Sequence, residues 1–143
     1  MSRTRVDFYL VDTNRQDEIM NVVCKLTEKA YFRKHQVFIF CNNQQQAETV
    51  DEMLWSFRDD SFVPHNIQGE GPTPPPPIQI GYNDAPRRFN DILINLADTV
   101  PNFYQQFGRV LQVVSSEEKT REISREHYKK YRQDNCEIHT HNL

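Results

Sequence analysis

"QVFIFC", residues 36–41, decides the fold. A strand with one face in water alternates apolar and polar side chains. This one is apolar on both faces from Val37 to Cys41. Such a run belongs to a parallel strand covered by helices on both sides. Upstream, "VDFYLV" (6–11) is a second short run of strand formers. Between the two, "DTNRQ" supplies a turn and a helix cap. Ile19, Val22, Val23, Leu26 and Ala30 then recur at helical spacing, predicting an amphipathic helix over 15–34. Downstream, Asn43 can cap a second helix over roughly 44–57.

Further out, "IQIGY" (78–82), "DILINL" (91–96) and "RVLQVV" (109–114) read as strands. "VPNFYQQF" (100–107) reads as one or two helical turns. "SSEEKTREISREHYKKYR" (115–132) reads as a final helix, with Ser115 and Glu118 at capping-box spacing. The order β-α-β-α, a loop region, then strands and a last helix defines an α/β fold. We expect a single-domain Rossmann-like open sheet over 1–143, mostly parallel, with helices on both faces. Right-handed crossovers place the first two helices on one side of the sheet. The segment "GEGPTPPPP" (69–77) reads as a stiff proline-rich surface loop, since four successive prolines exclude a central strand. Residues 133–143 read as a frayed C-terminal tail.

The 143 residues carry 17 Lys+Arg against 20 Asp+Glu, a formal charge of -3. Attraction to nucleic acid must therefore come from a local patch, because the overall field opposes it. Mean hydropathy is -0.77, and no run approaches the roughly 20 apolar residues that span a bilayer. The N-terminal "MSRTRVDFYLVD" is broken by Asp7 and is no signal peptide. A cytoplasmic protein away from the membrane is the expectation. Cys24, Cys41 and Cys136 lack CxxC spacing and read as reduced thiols, the first two in the core. His139 and His141 lack a ligand set, so no metal is expected.

The topology invites a nucleotide, and the residues argue against one. Pyrophosphate binding needs glycine where backbone amides approach the ligand. The four glycines are Gly69, Gly71, Gly81 and Gly108, none after the first strand. GxGxxG and GKS/GKT motifs are missing. Asp59 and Asp60 read as solvated acids at a helix exit. His65 is without a nucleophile or metal set beside it. No catalytic residue and no cofactor are assigned.

Two surfaces look like binding sites. In the second helix Ala47, Val50, Leu54 and Phe57 form the buried stripe. Trp55, the single tryptophan, lies about 100° round from Leu54, in the charged row Glu48, Asp51, Arg58. It needs a cover, either the chain's own loop 62–77 or a partner. Phe62, Val63 and Pro64 would enlarge the same apolar patch. In the last helix Arg121, Arg125, Tyr128 and Arg132 make one stripe, flanked by Lys129 and Tyr131. Cations alternating with rings suit an acidic peptide or a single nucleic-acid strand; an ordinary solvated face has the same look. Val113 and Val114, ending the preceding strand, could floor a shallow pocket beside it.

"DEMLWSF" (51–57), "SFVPHNIQGEGP" (61–72), "DILINL" and "REHYKKYR" (125–132), in that order, resemble the chi subunit of bacterial DNA polymerase III. The resemblance runs from the first strand to about residue 132. It implies a Rossmann-like fold without nucleotide binding, and a non-catalytic accessory protein of the clamp-loader complex. It implies two partners: the psi subunit, and the acidic C-terminal tail of single-stranded-DNA-binding protein. The tail would be held by Arg125, Tyr128 and Lys129, with Val114 in the pocket and Arg121 and Arg132 extending the stripe. The psi surface would map to Trp55, Phe62, Val63 and Pro64, and some family members are thought to offer that surface to a repair helicase. Two other classes stay open: a small α/β enzyme acting on a phosphorylated substrate, and a direct single-stranded nucleic-acid-binding module.

Overall fold

The computed structural model describes residues 3–60 and 62–143. Its strands are β1 (Arg5–Leu10), β2 (Val37–Phe40), β3 (His65–Ile67), β4 (Ile78–Gly81), β5 (Ile92–Asn95), β6 (Arg109–Val114) and β7 (Glu137–Asn142). The helices are α1 (Gln16–Phe32), α2 (Gln44–Ser56) and α3 (Glu118–Gln133), with one 3-10 turn over Tyr104–Gln106. All seven strands lie in one parallel sheet of order β3-β4-β2-β5-β6-β1-β7.

The opening stretch divides as its pattern requires. Val37, Ile39 and Cys41 enter a core with Met20, Val23 and Cys24 of α1 and Ala47, Val50 and Leu54 of α2. Phe38 faces the opposite core, with Val6, Phe8, Val110 and Tyr131 of α3. The first two helices therefore share one face and α3 covers the other. Full burial of a side chain such as Phe38 or Ile39 is worth roughly 1.5–3 kcal/mol, so β2 anchors both layers. Cys24 and Cys41 are fully buried, and burial pushes both thiols up to about 12. Gly81, paired with Phe40, is a packing glycine: a Cβ there would come within 2.9 Å of the Phe38 ring.

Asn43 caps α2 by accepting from Gln46 N at 2.9 Å. The capping box expected at Ser115 does not form. The helix starts at Glu118, with Glu117 as its cap residue, and Ser115 Oγ instead accepts from Glu117 N at 3.3 Å. The larger correction concerns 133–143. Instead of a frayed tail, Glu137–Asn142 pairs in parallel with the whole of β1. Its alternation explains how so polar a run can be a strand. Ile138 packs on the α3 core, while His141 Nε2 meets buried Asp7 at 2.7 Å on the other face and its ring stacks on Tyr9 at 4.8 Å. Asp7 also accepts from Arg5 and Arg109, at 3.0 and 2.8 Å. Strand β3 was likewise unforeseen. It is three residues long and opens with a histidine.

Candidate functional site

Helix α3 is seated by a polar network as well as by apolar packing. Tyr131 is fully buried and donates to Gln112 Oε1. Gln112 Nε2 donates to His127 Nδ1 at 3.0 Å, and His127 Nε2 donates to Asp98 O at 2.8 Å. Both imidazole nitrogens are thereby used with the ring neutral, and burial pulls the His127 pKa down. With His127 and Tyr131 facing the sheet, the neighbouring positions 125, 128 and 129 turn outward.

Those outward residues rim a groove of about 400 Å³ lined by Phe8, Leu10, Ser124, Arg125, Tyr128, Lys129 and Thr140. Its floor is the sheet itself: Phe8 and Leu10 from β1 and Thr140 from β7, on the α3 face. Tyr128 leans over Phe8, ring centroids 6.1 Å apart, and keeps 40% of its surface exposed. Among the described residues, Arg125 and Lys129 are held only by exposed pairs, with Glu118 at 3.3 Å and Glu126 at 3.2 Å. Such pairs are worth about 0.2–1 kcal/mol, so an incoming anion displaces them at little cost. Two cations over an apolar floor can hold a short acidic chain that carries an apolar side chain.

The structure thus brings Arg125, Tyr128 and Lys129 together. Arg121 and Arg132 lie exposed on the same helix, outside the groove lining. Val114 does line a pocket beside α3, together with Val113, Thr120, Ile123 and His127, but it does not line the groove. It is buried beneath α3 and lines a separate crevice at the C-terminal ends of β5 and β6. Leu10, its neighbour in register on β1, takes the groove position. Phe8, Leu10 and Thr140 went unnoticed as site residues. The signal for the first two was the strand period: with Asp7 on one face, Val6, Phe8 and Leu10 share the other.

The second surface lies on the opposite face of the sheet. Trp55 is 56% exposed and Phe62 58%. Their rings sit 5.3 Å apart, and Trp55 backs onto His65 at 4.8 Å. The 62–77 loop therefore leaves the tryptophan largely open. Val63 does not belong to this patch: it is wholly buried in the α1–α2 core, and Pro64 is half-buried. An extended chain entering β3 alternates sides, so Phe62 and Pro64 point away from the direction of Val63. His65 is structural. Its Nδ1 contacts Val63 O at 2.6 Å and its Nε2 contacts Asp51 O at 3.2 Å, tying β3 to α2.

The geometry describes an open all-parallel α/β sheet whose two faces each carry an exposed aromatic patch, one of them rimmed by cations. Residues 3–139 match the family model of the DNA polymerase III chi subunit, HolC. The chain is 34% identical over 140 residues to the DNA polymerase III subunit chi of Pseudomonas aeruginosa, covering 98% of this chain and 97% of that one. To the Haemophilus influenzae subunit chi it is 32% identical, covering 100% and 99%. To that of Escherichia coli it is 34% identical, covering 87% and 88%. The chain belongs to the DNA polymerase III chi-subunit family.

Proposed function

We propose that this protein is a non-catalytic adaptor of the replication machinery, working in the cytoplasm and needing no cofactor. It joins the psi subunit of the clamp-loader complex to the acidic C-terminal tail of single-stranded-DNA-binding protein. The psi subunit covers Trp55, Phe62 and the exposed part of Pro64. The tail lies in the α3 groove, its carboxylates against Arg125 and Lys129 and its apolar end on Phe8, Leu10 and Tyr128. A repair helicase would compete for the Trp55 surface rather than for the groove.

The observation that carries this reading is the groove: an apolar floor with cations on one rim, in a chain of net charge -3. A chain of that overall charge gains little from bare nucleic acid, whereas a local cationic rim suits a short acidic peptide. The loop after β1 counts against a phosphorylated ligand. The first turn of α1 carries Asp17 and Glu18, where a phosphate would need bare amides, and Arg15 is engaged by both acids at 2.9 and 3.4 Å.

Calorimetric titration with a synthetic copy of the acidic tail tests it. Saturable binding that falls by about 1–3 kcal/mol in Arg125→Ala and in Lys129→Ala supports the groove. Unchanged affinity in both variants rejects it.

A further inference from the structure

The groove has an open side. Strand β7 ends the sheet, and the hydrogen bonds at its two ends fix the direction of every backbone group along it. Glu137 N donates to Thr4 O at 3.1 Å, and Leu143 N donates to Leu10 O at 2.9 Å. Backbone groups of a strand alternate sides. The odd positions, 137 to 143, therefore point at β1. The even positions, Ile138, Thr140 and Asn142, point their N–H and C=O groups away from the sheet, and no strand among the described residues pairs with them. Thr140 is also a lining residue of the groove, beside Arg125 and Lys129.

We infer that the acidic peptide binds as an eighth strand on β7, its backbone paired with Ile138, Thr140 and Asn142, while its side chains reach α3. This rests on the groove reading given above. Spacing supports it. Side chains on one face of a strand recur every 6.6 Å or so. Cations one turn apart on a helix, such as Arg121, Arg125 and Lys129, recur about every 6 Å. A strand added at this edge presents alternate side chains to that row, so carboxylates at every second position meet successive cations. The other alternate set faces the side of His139 and His141. Arg121, which lies outside the groove itself, gains a role under this arrangement. Charge complementarity selects an acidic peptide over a second copy of this chain, whose own edge strand carries Glu137, His139 and His141.

The peptide, and not the protein, is the place to test backbone pairing, because changing it leaves the fold untouched. Three versions of the tail peptide are titrated: unmodified, N-methylated at odd positions, and N-methylated at even positions. Strand pairing uses the peptide's N–H groups of one parity only. We expect one methylated set to lose at least tenfold in affinity and the other to stay within about twofold of the unmodified peptide. Hydrogen exchange at saturation should slow at least tenfold at the amides of Ile138, Thr140 and Asn142, leaving Glu137, His139 and His141 as they were. Thr140→Pro, whose lost N–H faces outward, should weaken binding.

Equal binding of both methylated peptides, with Lys129→Ala still weakening the unmodified one, overturns strand pairing and leaves the groove in place. Absence of binding by the unmodified peptide overturns both. Slow exchange at the three amides without peptide, rising with protein concentration, assigns the edge to a second copy and overturns the inference.

Discussion

Tyr128 and Phe8 meet across the boundary between α3 and β1 at 6.1 Å, one ring part-exposed and the other buried. The contact ties the groove's aromatic rim to the core. Tyr128 is positioned by the same packing that seats the helix, so its ring is set before any ligand arrives. Truncating it therefore removes ligand contact and a support of the rim together. Tyr128→Ala should weaken the tail peptide by about 1–3 kcal/mol while Tyr128→Phe, which keeps the ring, changes it much less. Equal losses in the two variants would transfer the effect from the ring to the hydroxyl.

Salt separates the two halves of the groove. Exposed charge pairs are screened within about 8–10 Å at physiological salt, and apolar contacts are not. Raising salt from 50 to 300 mM should lower tail affinity in the wild type and have a smaller effect in Arg125→Ala. An identical salt response in both proteins would show that the guanidinium takes no part.

The Trp55 patch makes a different demand. Trp55 is exposed in the free protein, so Trp55→Ala should change stability by no more than about 0.5 kcal/mol while costing about 2–4 kcal/mol of psi binding. Val63→Ala should behave in the opposite way. Val63 is fully buried, and its truncation should cost about 1–2.5 kcal/mol of stability with little direct effect on psi. Thermal melts beside psi titrations distinguish the two, and a stable Val63→Ala protein that fails to bind psi would return Val63 to the interface.

Acid should loosen the fold in two stages. Neutral, buried His127 has its pKa below the ordinary 6.5 because burial disfavours the charged ring. Its contribution is complete above about 6.5 and is lost as pH falls below that value, since the unfolded chain takes up the proton first. Burial would raise the Asp7 carboxyl, but hydrogen bonds from Arg5, His141 and Arg109 outweigh it and bring it down to about 2, against an ordinary 3.8. That contribution, on the order of 2 kcal/mol, holds above about pH 4 and disappears as pH approaches 2. Asp7→Asn should flatten the lower stage and His127→Gln the upper one, as read from denaturant midpoints across pH. A wild-type stability constant from pH 7 to 3 would contradict both assignments.

Much of this was legible in the sequence, and what escaped shares one physical cause. Helical stripes declare themselves over several turns, so α2 and α3 and their outward residues, Trp55 and Arg125, could be read directly. Strand periodicity is only two residues long, and a side chain's face then depends on register. Val63 neighbours exposed Phe62 in sequence yet points into a core, and Val114 borders a crevice beside α3 but not the groove rimmed by Arg125 and Lys129. Leu10, which does line the groove, needed the pairing of β1 with β6 and β7 to be seen. The strand β7 escaped because "EIHTHN" satisfies its polar side with Asp7, a residue 134 positions away. No local pattern carries that partner.

The most direct test of the adaptor claim is to measure tail-peptide affinity twice by calorimetry, on the protein alone and on its complex with the psi subunit. The two patches lie on opposite faces of the sheet and share no residue. We expect the same affinity within about twofold and a stable ternary complex. Displacement of psi by the tail peptide, or loss of tail binding in the complex, would contradict a protein that links the two.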